Sequence, residues 1–281
     1  MSPLSKGAGQ VSGPGKLMSG RRGLVMGIAN DHSIAWGIAQ ALGAHGAEMA
    51  FTYQNEAFGK RLQPLADSVG SSLMVPCDVS DRASMDRVFA MLETIWGQID
   101  FIVHAIAYSD KEELKGRFID TTRENFLHTM DISCFSLNEV ARRAAPLMKQ
   151  GGAIVTLTYM GSVKVMPDYN VMGVAKAALE ASVRYLAADL GPQGVRVNAI
   201  SAGPMRTLAG SAVGSARYVY RTSREHSPLR MNVDLAHLGG AGLYLLSDLS
   251  AGVTGEVHYV DAGYNIIGMP HPGMLNPSTD E

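Results

Sequence analysis

The sequence lacks several features that would each define a class of protein. It has only two cysteines, Cys77 and Cys134, which lie far apart without paired spacing, so neither a disulfide framework nor a zinc site is expected. No run of about 20 apolar residues occurs, and we therefore expect no membrane-spanning segment. No hydrophobic signal segment follows Met1, so the expected location is cytoplasmic.

An excess of charge of one sign is also missing. The chain has 24 Lys and Arg against 26 Asp and Glu, which gives a formal net charge of −2 at pH 7. Without a basic field to attract them, neither nucleic acid nor an anionic membrane is predicted as a partner. The eight histidines show no metal-ligand spacing, so no metal is predicted. Hydrophobic residues make up 46% of the chain, which is typical of a folded globular protein.

Glycine, in contrast, is abundant, with 31 residues. Several lie among Ser, Pro and Lys in residues 1–20, which we predict to be a flexible leader. No linker-like break interrupts residues 21–269, and these are predicted to form one domain. A polar, small-residue insertion at about 207–233 is predicted to be a substrate lid, with a plain surface loop as the alternative. Residues 270–281 are predicted to be an exposed tail.

Short apolar runs alternate with longer segments of helical period. The runs contain few polar residues, which is typical of strands buried on both faces of a parallel sheet. The predicted strands are Gly23–Met26, Glu48–Tyr53, Ser72–Pro76, Ile99–His104, Ala153–Thr158, Arg196–Ile200 and Val257–Val260. The predicted helices are Ile34–His45, Ala57–Val69, Arg82–Trp96, Arg123–Met148, Asp168–Leu190 and Leu235–Leu246. This order predicts an α/β fold, a doubly wound Rossmann-type parallel sheet with helices on both faces.

The loop after the first predicted strand has the elements of a phosphate site. Gly27 can form a tight turn, and Ser33 with the following helix N-terminus can face negative charge. The G-x-G-x-x-G fingerprint is absent, so this loop alone is equally consistent with an ordinary strand-to-helix turn.

The ends of the second and third predicted strands carry candidate ribose and adenine contacts. Gln54 stands where dinucleotide folds usually have Asp or Glu for the ribose hydroxyls. No Lys or Arg follows until Lys60, so a 2′-phosphate lacks an obvious partner and NADH is favoured over NADPH. Asp78 could accept from an adenine amino group, or it could serve only as a turn or N-cap residue.

Tyr169 and Lys176 are seven residues apart in the predicted helix Asp168–Leu190. At about 100° per residue this spacing puts both on one face, about 10 Å apart along the axis. There an ammonium can anchor a cofactor ribose and lower the pKa of a nearby phenol, while the phenol reaches a substrate oxygen. A Tyr and a Lys two turns apart also occur on ordinary solvated helices, so the pair alone leaves both interpretations open.

Several motifs together resemble one family. They are Tyr169-Asn-Val-Met-Gly-Val-Ala-Lys176, the preceding Tyr159, the Gly-x5-Ser loop, Phe51-Thr-Tyr-Gln54 and Asn198-Ala-Ile-Ser-Ala-Gly-Pro-Met-Arg-Thr207. In this combination the chain is similar to the bacterial NADH-dependent enoyl-acyl-carrier-protein reductases, a divergent branch of the short-chain dehydrogenase/reductase superfamily. The similarity spans roughly residues 17–269. Ordinary members of the superfamily carry the tyrosine four residues before the lysine, where this chain has Met172.

The resemblance implies reduction of the trans-2 double bond of enoyl thioesters carried on acyl carrier protein, with NADH as cofactor. Tyr169 would donate to the enolate oxygen, Lys176 would hold the nicotinamide ribose, and Tyr159 would line the substrate pocket. A carbonyl or alcohol oxidoreductase of the same superfamily is the alternative. A nucleotide-sensing protein without turnover is a third hypothesis.

The resemblance also implies the wider site and the assembly. Its cofactor residues are Gly27, Ser33, Ile34, Gln54, Asp78, Val79, Ile106, Lys176, Met205 and Thr207, and its substrate residues are Ala107, Tyr159, Tyr169 and Met172. Ala107 replaces the glycine common in the family and adds a methyl group beside the cofactor. Residues 209–220 would form the moving part of the lid. A homotetramer is implied, and Arg117, Arg217 and Arg221 are candidate contacts for acidic carrier protein, with a solvated surface as the alternative.

Overall fold

The computed structural model describes residues 16–208 and 214–270. The strands are β1 (Arg22–Met26), β2 (Glu48–Tyr53), β3 (Leu73–Pro76), β4 (Phe101–His104), β5 (Gly152–Thr158), β6 (Val195–Ala202) and β7 (Val257–Val260). All pair in parallel in one sheet, in the order β3-β2-β1-β4-β5-β6-β7. The order reverses between β1 and β4, which confirms the predicted doubly wound sheet and puts its switch point beside the loop after β1.

The helices cover both faces of the sheet. They are α1 (Ile34–Ala44), α2 (Glu56–Ser68), α3 (Arg82–Trp96), α4 (Arg123–Met130), α5 (Ser136–Ala144), α6 (Asn170–Leu190), α7 (Ala216–His226) and α8 (Leu235–Leu246). Alternate strand residues enter two cores. Leu24 and Ile102 pack with α3, α5 and α6, whereas Val25 and Val103 pack with α1, α2 and α8. Burial on both faces explains why these strands are uniformly apolar.

The helix predicted for Arg123–Met148 is continuous through Leu147, but it is not α-helical throughout. The chain forms α4, a π-helical turn over Asp131–Phe135, then α5 and a final 3₁₀ turn. Ser133 accepts from and donates to the backbone of Tyr108, and Ser136 donates to the carbonyl of Ile132 at 2.6 Å. Hydroxyls that bond to carbonyls in this way compete with the helical ladder, and apolar periodicity does not show them.

His104 ties the end of β4 to this turn. Its ring is fully buried, with Nδ1 2.9 Å from the Thr156 hydroxyl and Nε2 2.9 Å from the Ser136 hydroxyl. Burial lowers the pKa of His104 to about 3, so the ring is neutral at pH 7. It is a structural residue between two strands and a helix.

Two features of the structure bear on the predicted leader and the predicted lid. The ordered chain begins before residue 21, because Met18 is fully buried and its amide donates to the His45 carbonyl at 3.0 Å. The predicted lid contains α7, a helix not recognised in the sequence, which turns Val219 and Ser223 inward. The rest of the predicted leader, residues 209–213 of the lid and residues 271–281 of the tail lie outside the described residues. Within the described part of the chain, no helix is long and apolar enough to cross a membrane.

Candidate active site

The predicted site residues gather at the carboxyl edge of the sheet. Parallel strands all end at the same edge, so residues that follow different strands are brought together. Gly27, Gln54, Asp78, Ile106, Tyr159 and Met205 follow β1, β2, β3, β4, β5 and β6 respectively. The structure therefore assembles one candidate site from six separate parts of the chain.

The catalytic candidates lie between the end of β5 and the start of α6. The Lys176 ammonium is only 6% exposed and donates to the Leu157 carbonyl at 2.9 Å. The rings of Tyr159 and Tyr169 meet edge to face, with centroids 5.1 Å apart and planes at 73°. Such a contact fixes the relative position of the two phenols. Tyr159 and Tyr169 are thus held in contact, and Lys176 is anchored to Leu157, two residues before Tyr159.

Tyr169 is not within the helix that the sequence predicts from Asp168. The helix begins at Asn170, and Asp168 and Asn170 have φ values of +55° and +34° on either side of the tyrosine. Residues with side chains rarely adopt this left-handed region, and such strain is concentrated at functional sites. The Asn170 side chain helps to hold it by donating to the Gly116 carbonyl at 3.3 Å. The position of Tyr169 is therefore set by this strained turn as well as by helical spacing.

Two glycines make room for the Tyr169 ring. A Cβ on Gly161 would overlap the ring, and a Cβ on Gly173 would lie 2.8 Å from the Gly161 carbonyl oxygen. Gly173 therefore lets α6 pack closely against this turn. Gly161 was missed, because one glycine in a turn after a strand gives no pattern to recognise.

Burial sets the protonation of the phenols. It raises the pKa of both Tyr159 and Tyr169 above the ordinary value. The structure does not show the expected lowering of a phenol pKa by Lys176, because burial dominates the pKa of both phenols. Both phenols are neutral at pH 7 and can act as donors. The Tyr159 hydroxyl is buried and has no hydrogen-bond partner among the described residues.

Burial acts on Lys176 in the opposite direction. It lowers the pKa of this ammonium from 10.5 to about 8, because the charged form loses its hydration. The lysine is still mainly protonated at pH 7. It therefore combines a positive charge with a desolvated position, which suits an anchor for hydroxyl groups.

At the other end of the edge, the loop after β1 is tightly folded. Gly27 has a φ of +95°, and a Cβ there would overlap the Ala105 carbonyl oxygen, so only glycine fits. Ser33 precedes α1, and its Oγ accepts from the amides of Ala29 and Asn30 at 3.0 and 3.2 Å. Its hydroxyl thus shapes the loop. The direct phosphate contact expected for Ser33 stays a prediction.

Gln54 and Asp78 lie side by side at the ends of neighbouring strands. The Gln54 amide donates to Asp78 Oδ2 at 3.4 Å, and the Ser80 amide and hydroxyl donate to Asp78 Oδ1 at 2.9 and 2.7 Å. The Ser80 hydroxyl is the main cause of a lowered pKa at Asp78, so its carboxylate is ionised at pH 7. Asp78 therefore shapes a turn through Oδ1, as one of its two interpretations predicts, while its Oδ2 faces Gln54.

The remaining predicted residues surround these two groups. Ile34, Val79, Ile106, Met205 and Thr207 are partly buried, and all but Thr207 pack on one of the two cores. Ala107 is exposed at the edge. Met172 is buried in a small apolar cluster with Leu114 and Val171, against which Tyr169 packs. Met172 thus supports the tyrosine from below, and its expected substrate contact stays a prediction.

The predicted lid is held by contacts near Tyr169 and near the end of β6. The Ser215 hydroxyl donates to the Pro167 carbonyl at 2.9 Å, next to the strained turn that holds Tyr169. The Arg206 guanidinium lies over the Tyr220 ring, 4.6 Å from its centroid, and links the loop after β6 to α7. These contacts give α7 a defined position above the carboxyl edge.

A doubly wound sheet with a buried lysine and two neutral phenols at its carboxyl edge defines the class, a dinucleotide-dependent oxidoreductase of the short-chain dehydrogenase/reductase superfamily. The comparisons with known proteins identify the branch. The model of the family described as enoyl-(acyl carrier protein) reductase matches residues 27–265. The chain therefore belongs to the enoyl-acyl-carrier-protein reductase family.

Individual relatives cover nearly the whole chain. The chain is 63% identical to the enoyl-acyl-carrier-protein reductase (NADH) 2 of Rhizobium meliloti (strain 1021), over 90% of this chain and 95% of that protein. A crystal structure of the Anaplasma phagocytophilum reductase in complex with NAD has a TM-score of 0.89 and 57% identity, over 92% and 98% of the two chains. The Bacillus cereus enoyl-acyl carrier protein reductase, solved with NADP+ and indole naphthyridinone, has a TM-score of 0.88 and 47% identity, over 90% and 99%.

Proposed function

We propose that this protein reduces the trans-2 double bond of enoyl thioesters on acyl carrier protein, with NADH as the reductant, in the fatty-acid elongation cycle. The observation that carries the proposal is the group of Tyr159, Tyr169 and Lys176 at the carboxyl edge of the sheet. It offers a neutral phenol for a substrate oxygen and an ammonium for a sugar, within one compact site.

The residues fit a dinucleotide without a 2′-phosphate. The tight loop at Gly27 leads into the N-terminus of α1, where backbone amides favour a pyrophosphate. The ionised Asp78 carboxylate beside Gln54 would repel a 2′-phosphate, so NADH is preferred over NADPH. The unpartnered hydroxyl of Tyr159 is the kind of buried polar atom that a ligand satisfies.

NADH, when bound, supplies the hydride for the β-carbon of the enoyl group. Tyr169 then stabilises the negative charge that develops on the thioester oxygen by donating a hydrogen bond, since its raised pKa keeps the proton on the phenol. One such donor contributes on the order of 3 kcal/mol to transition-state stabilisation. Lys176 holds the nicotinamide ribose hydroxyls, and Tyr159 lines the substrate pocket.

Acyl carrier protein is the proposed partner, and α7 is its proposed docking element. Arg217 and Arg221 are exposed and one helical turn apart, so they form a basic face on the helix of the predicted lid. A basic face suits an acidic carrier. Arg117 is exposed as well and is a further candidate contact.

We further propose a homotetramer in the cytoplasm. Leu127, Phe135 and Tyr185 on α4, the π-helical turn and α6 are 54%, 44% and 76% exposed, and large exposed apolar side chains favour self-association. Light scattering would test the oligomer, and a mass near that of the 29.9 kDa chain would exclude it. Cys77 and Cys134 are free thiols, which suits a reducing compartment.

The activity is tested by mixing the protein with NADH and either crotonyl thioester or a panel of ketones. Loss of NADH absorbance with the enoyl thioester is the expected result. If NADH is consumed with the ketones but not with the enoyl thioester, the result would support the carbonyl reductase alternative. Tight NADH binding without turnover of either class would support the sensing hypothesis. Replacing NADH with NADPH in the same assay is expected to give slower turnover.

A further inference from the structure

A second charged side chain is buried beside Lys176. Glu180 is 6% exposed and lies one helical turn further along α6. Its Oε1 accepts from the Thr158 hydroxyl at 2.7 Å, and Thr158 is itself only 4% exposed. A buried carboxylate is costly unless it has partners, and the Thr158 hydroxyl is one such partner.

The carboxylate and the ammonium are fixed by consecutive residues of the same strand. Lys176 donates to the carbonyl of Leu157, and Glu180 accepts from the hydroxyl of Thr158. Residues four apart on a helix are also neighbours on its surface. The end of β5 therefore sets the position of both charges relative to each other.

The other groups around the pair supply no competing negative charge. Cys134 faces Lys176 from the π-helical turn, and burial raises the pKa of its thiol, so it is neutral at pH 7. His104 faces Lys176 from β4 and is neutral as well. Tyr169 faces Glu180 from the turn before α6 and Tyr259 faces it from β7, and both phenols are neutral because burial raises their pKa.

We propose that Glu180, held by Thr158, is a positioning residue that keeps the Lys176 side chain charged and directed for cofactor binding. The proposal rests on the proposed function only in that Lys176 must bind NADH. In this proposal Glu180 acts through Lys176 and has no direct part in binding cofactor or substrate. It acts by offsetting part of the desolvation that burial imposes on the ammonium.

The test measures the dissociation constant of NADH against pH for the full-length wild type and for Glu180→Gln. In the wild type, affinity is expected to fall as pH rises through about 8, where Lys176 loses its proton. Without the carboxylate we expect this midpoint to move down by about one pH unit. At pH 6 the two proteins should then bind NADH equally, and at pH 8.5 the variant should bind about eightfold more weakly.

A merely structural role for Glu180 predicts something different. Looser packing of α6 on β5 would weaken NADH binding by the same factor at every pH, with the midpoint unmoved, and that result would overturn the proposal. Glu180→Asp, which keeps the charge, should retain a midpoint close to that of the wild type. If Glu180→Gln does not fold, Thr158→Val carries the test, because the released carboxylate should move the midpoint in the same direction by a smaller amount. An unmoved midpoint in Thr158→Val would then overturn the proposal.

Failure of this inference and failure of the proposed function are distinguishable. A wild-type protein that binds no NADH at any pH contradicts the function itself. A wild type that binds NADH with the expected pH dependence, beside a Glu180→Gln variant with the same midpoint, contradicts only the assignment of Glu180.

Discussion

The two ends of the carboxyl edge are built in different ways. At the end formed by β1, β2 and β3, Gln54 is exposed and Asp78 is partly exposed, and polar groups bond within short loops, as Ser33 does with Ala29 and Asp78 with Ser80. At the end formed by β5 and α6, the polar groups are buried and bond across the fold, as Lys176 does with Leu157. We call the first the surface end, where local turns hold the polar groups, and the second the buried end, where tertiary packing holds them.

The protonation of the groups follows this difference. Hydrogen bonds lower the pKa of Asp78, so its ionised form contributes to stability. Burial lowers the pKa of Lys176 and raises that of Tyr169, so the charged form of each is disfavoured. The ionised Asp78 carboxylate thus stabilises the surface end. At the buried end, the desolvated Lys176 ammonium lowers the stability of the fold but provides the charge that the site needs.

The largest expected effect comes from the buried end. Tyr169→Phe keeps the ring that packs on Tyr159 and removes only the donor to the enolate oxygen. We expect kcat for an enoyl thioester to fall by about 100-fold, with NADH affinity nearly unchanged. Tyr185→Phe on the adjoining helix α6 is the control, because that tyrosine is 76% exposed. A Tyr169→Phe variant with wild-type kcat would remove Tyr169 from the mechanism.

A smaller loss of activity is expected when the space that Gly161 leaves for the Tyr169 ring is filled. Gly161→Ala would push a methyl group into the Tyr169 ring and displace its hydroxyl. We expect kcat to fall by about tenfold and stability to fall by roughly 1–3 kcal/mol, as overpacking typically does. Gly240→Ala is the matched control, since a Cβ there has nothing within 4 Å. If steady-state kinetics find equal rates for both variants, the ring position does not depend on Gly161.

The pH dependence of stability tests the cost of the buried charge. Lys176 has a pKa of about 8 in the folded protein and 10.5 as its ordinary value. Between pH 8 and 10.5 the unfolded chain binds more protons than the folded protein, so the free energy of unfolding rises with pH in this range. Below pH 8 the buried charge destabilises the folded protein by its full amount. Lys176→Met should therefore stabilise the unliganded protein at pH 7 by roughly 1–2 kcal/mol, after allowance for the lost bond to Leu157.

This gain should shrink as the pH rises from 8 towards 10.5, which urea unfolding at several pH values would measure. Lys60→Met is the control, because Lys60 is exposed and its replacement should change little at any pH. A Lys176→Met variant less stable than the wild type at pH 7 would show that packing or the Leu157 bond outweighs desolvation.

The sequence predicts the surface end better than the buried end. The strand ends at Gln54 and Asp78 follow from apolar runs and topology alone, because parallel strands must end at one edge. The spacing of Tyr169 and Lys176 predicts that both side chains lie at this site, but it does not predict the left-handed backbone at Asp168 that sets the turn. Such strain depends on contacts from distant loops, which no local pattern records.

Two further misses have the same origin. The π-helical turn at Asp131–Phe135 arises from serine bonds to carbonyls, and Glu180 is buried only because β5 supplies the Thr158 hydroxyl. In the sequence Glu180 is one more charged residue in a long helix. The tertiary fold alone distinguishes it from a solvated side chain.

The smallest expected effect belongs to the surface end and separates the two interpretations of Asp78. If its carboxylate faces the ribose and adenine, Asp78→Asn removes a charge that repels a 2′-phosphate. NADH should then bind about threefold more weakly while NADPH binds more tightly, with kcat unchanged. If Asp78 only shapes the turn through Ser80, Asp78→Asn and Ser80→Ala should weaken both cofactors by the same factor. The ratio of the two dissociation constants, measured by fluorescence titration, therefore decides between them, because a local loosening of the loop cannot distinguish a phosphate from a hydroxyl.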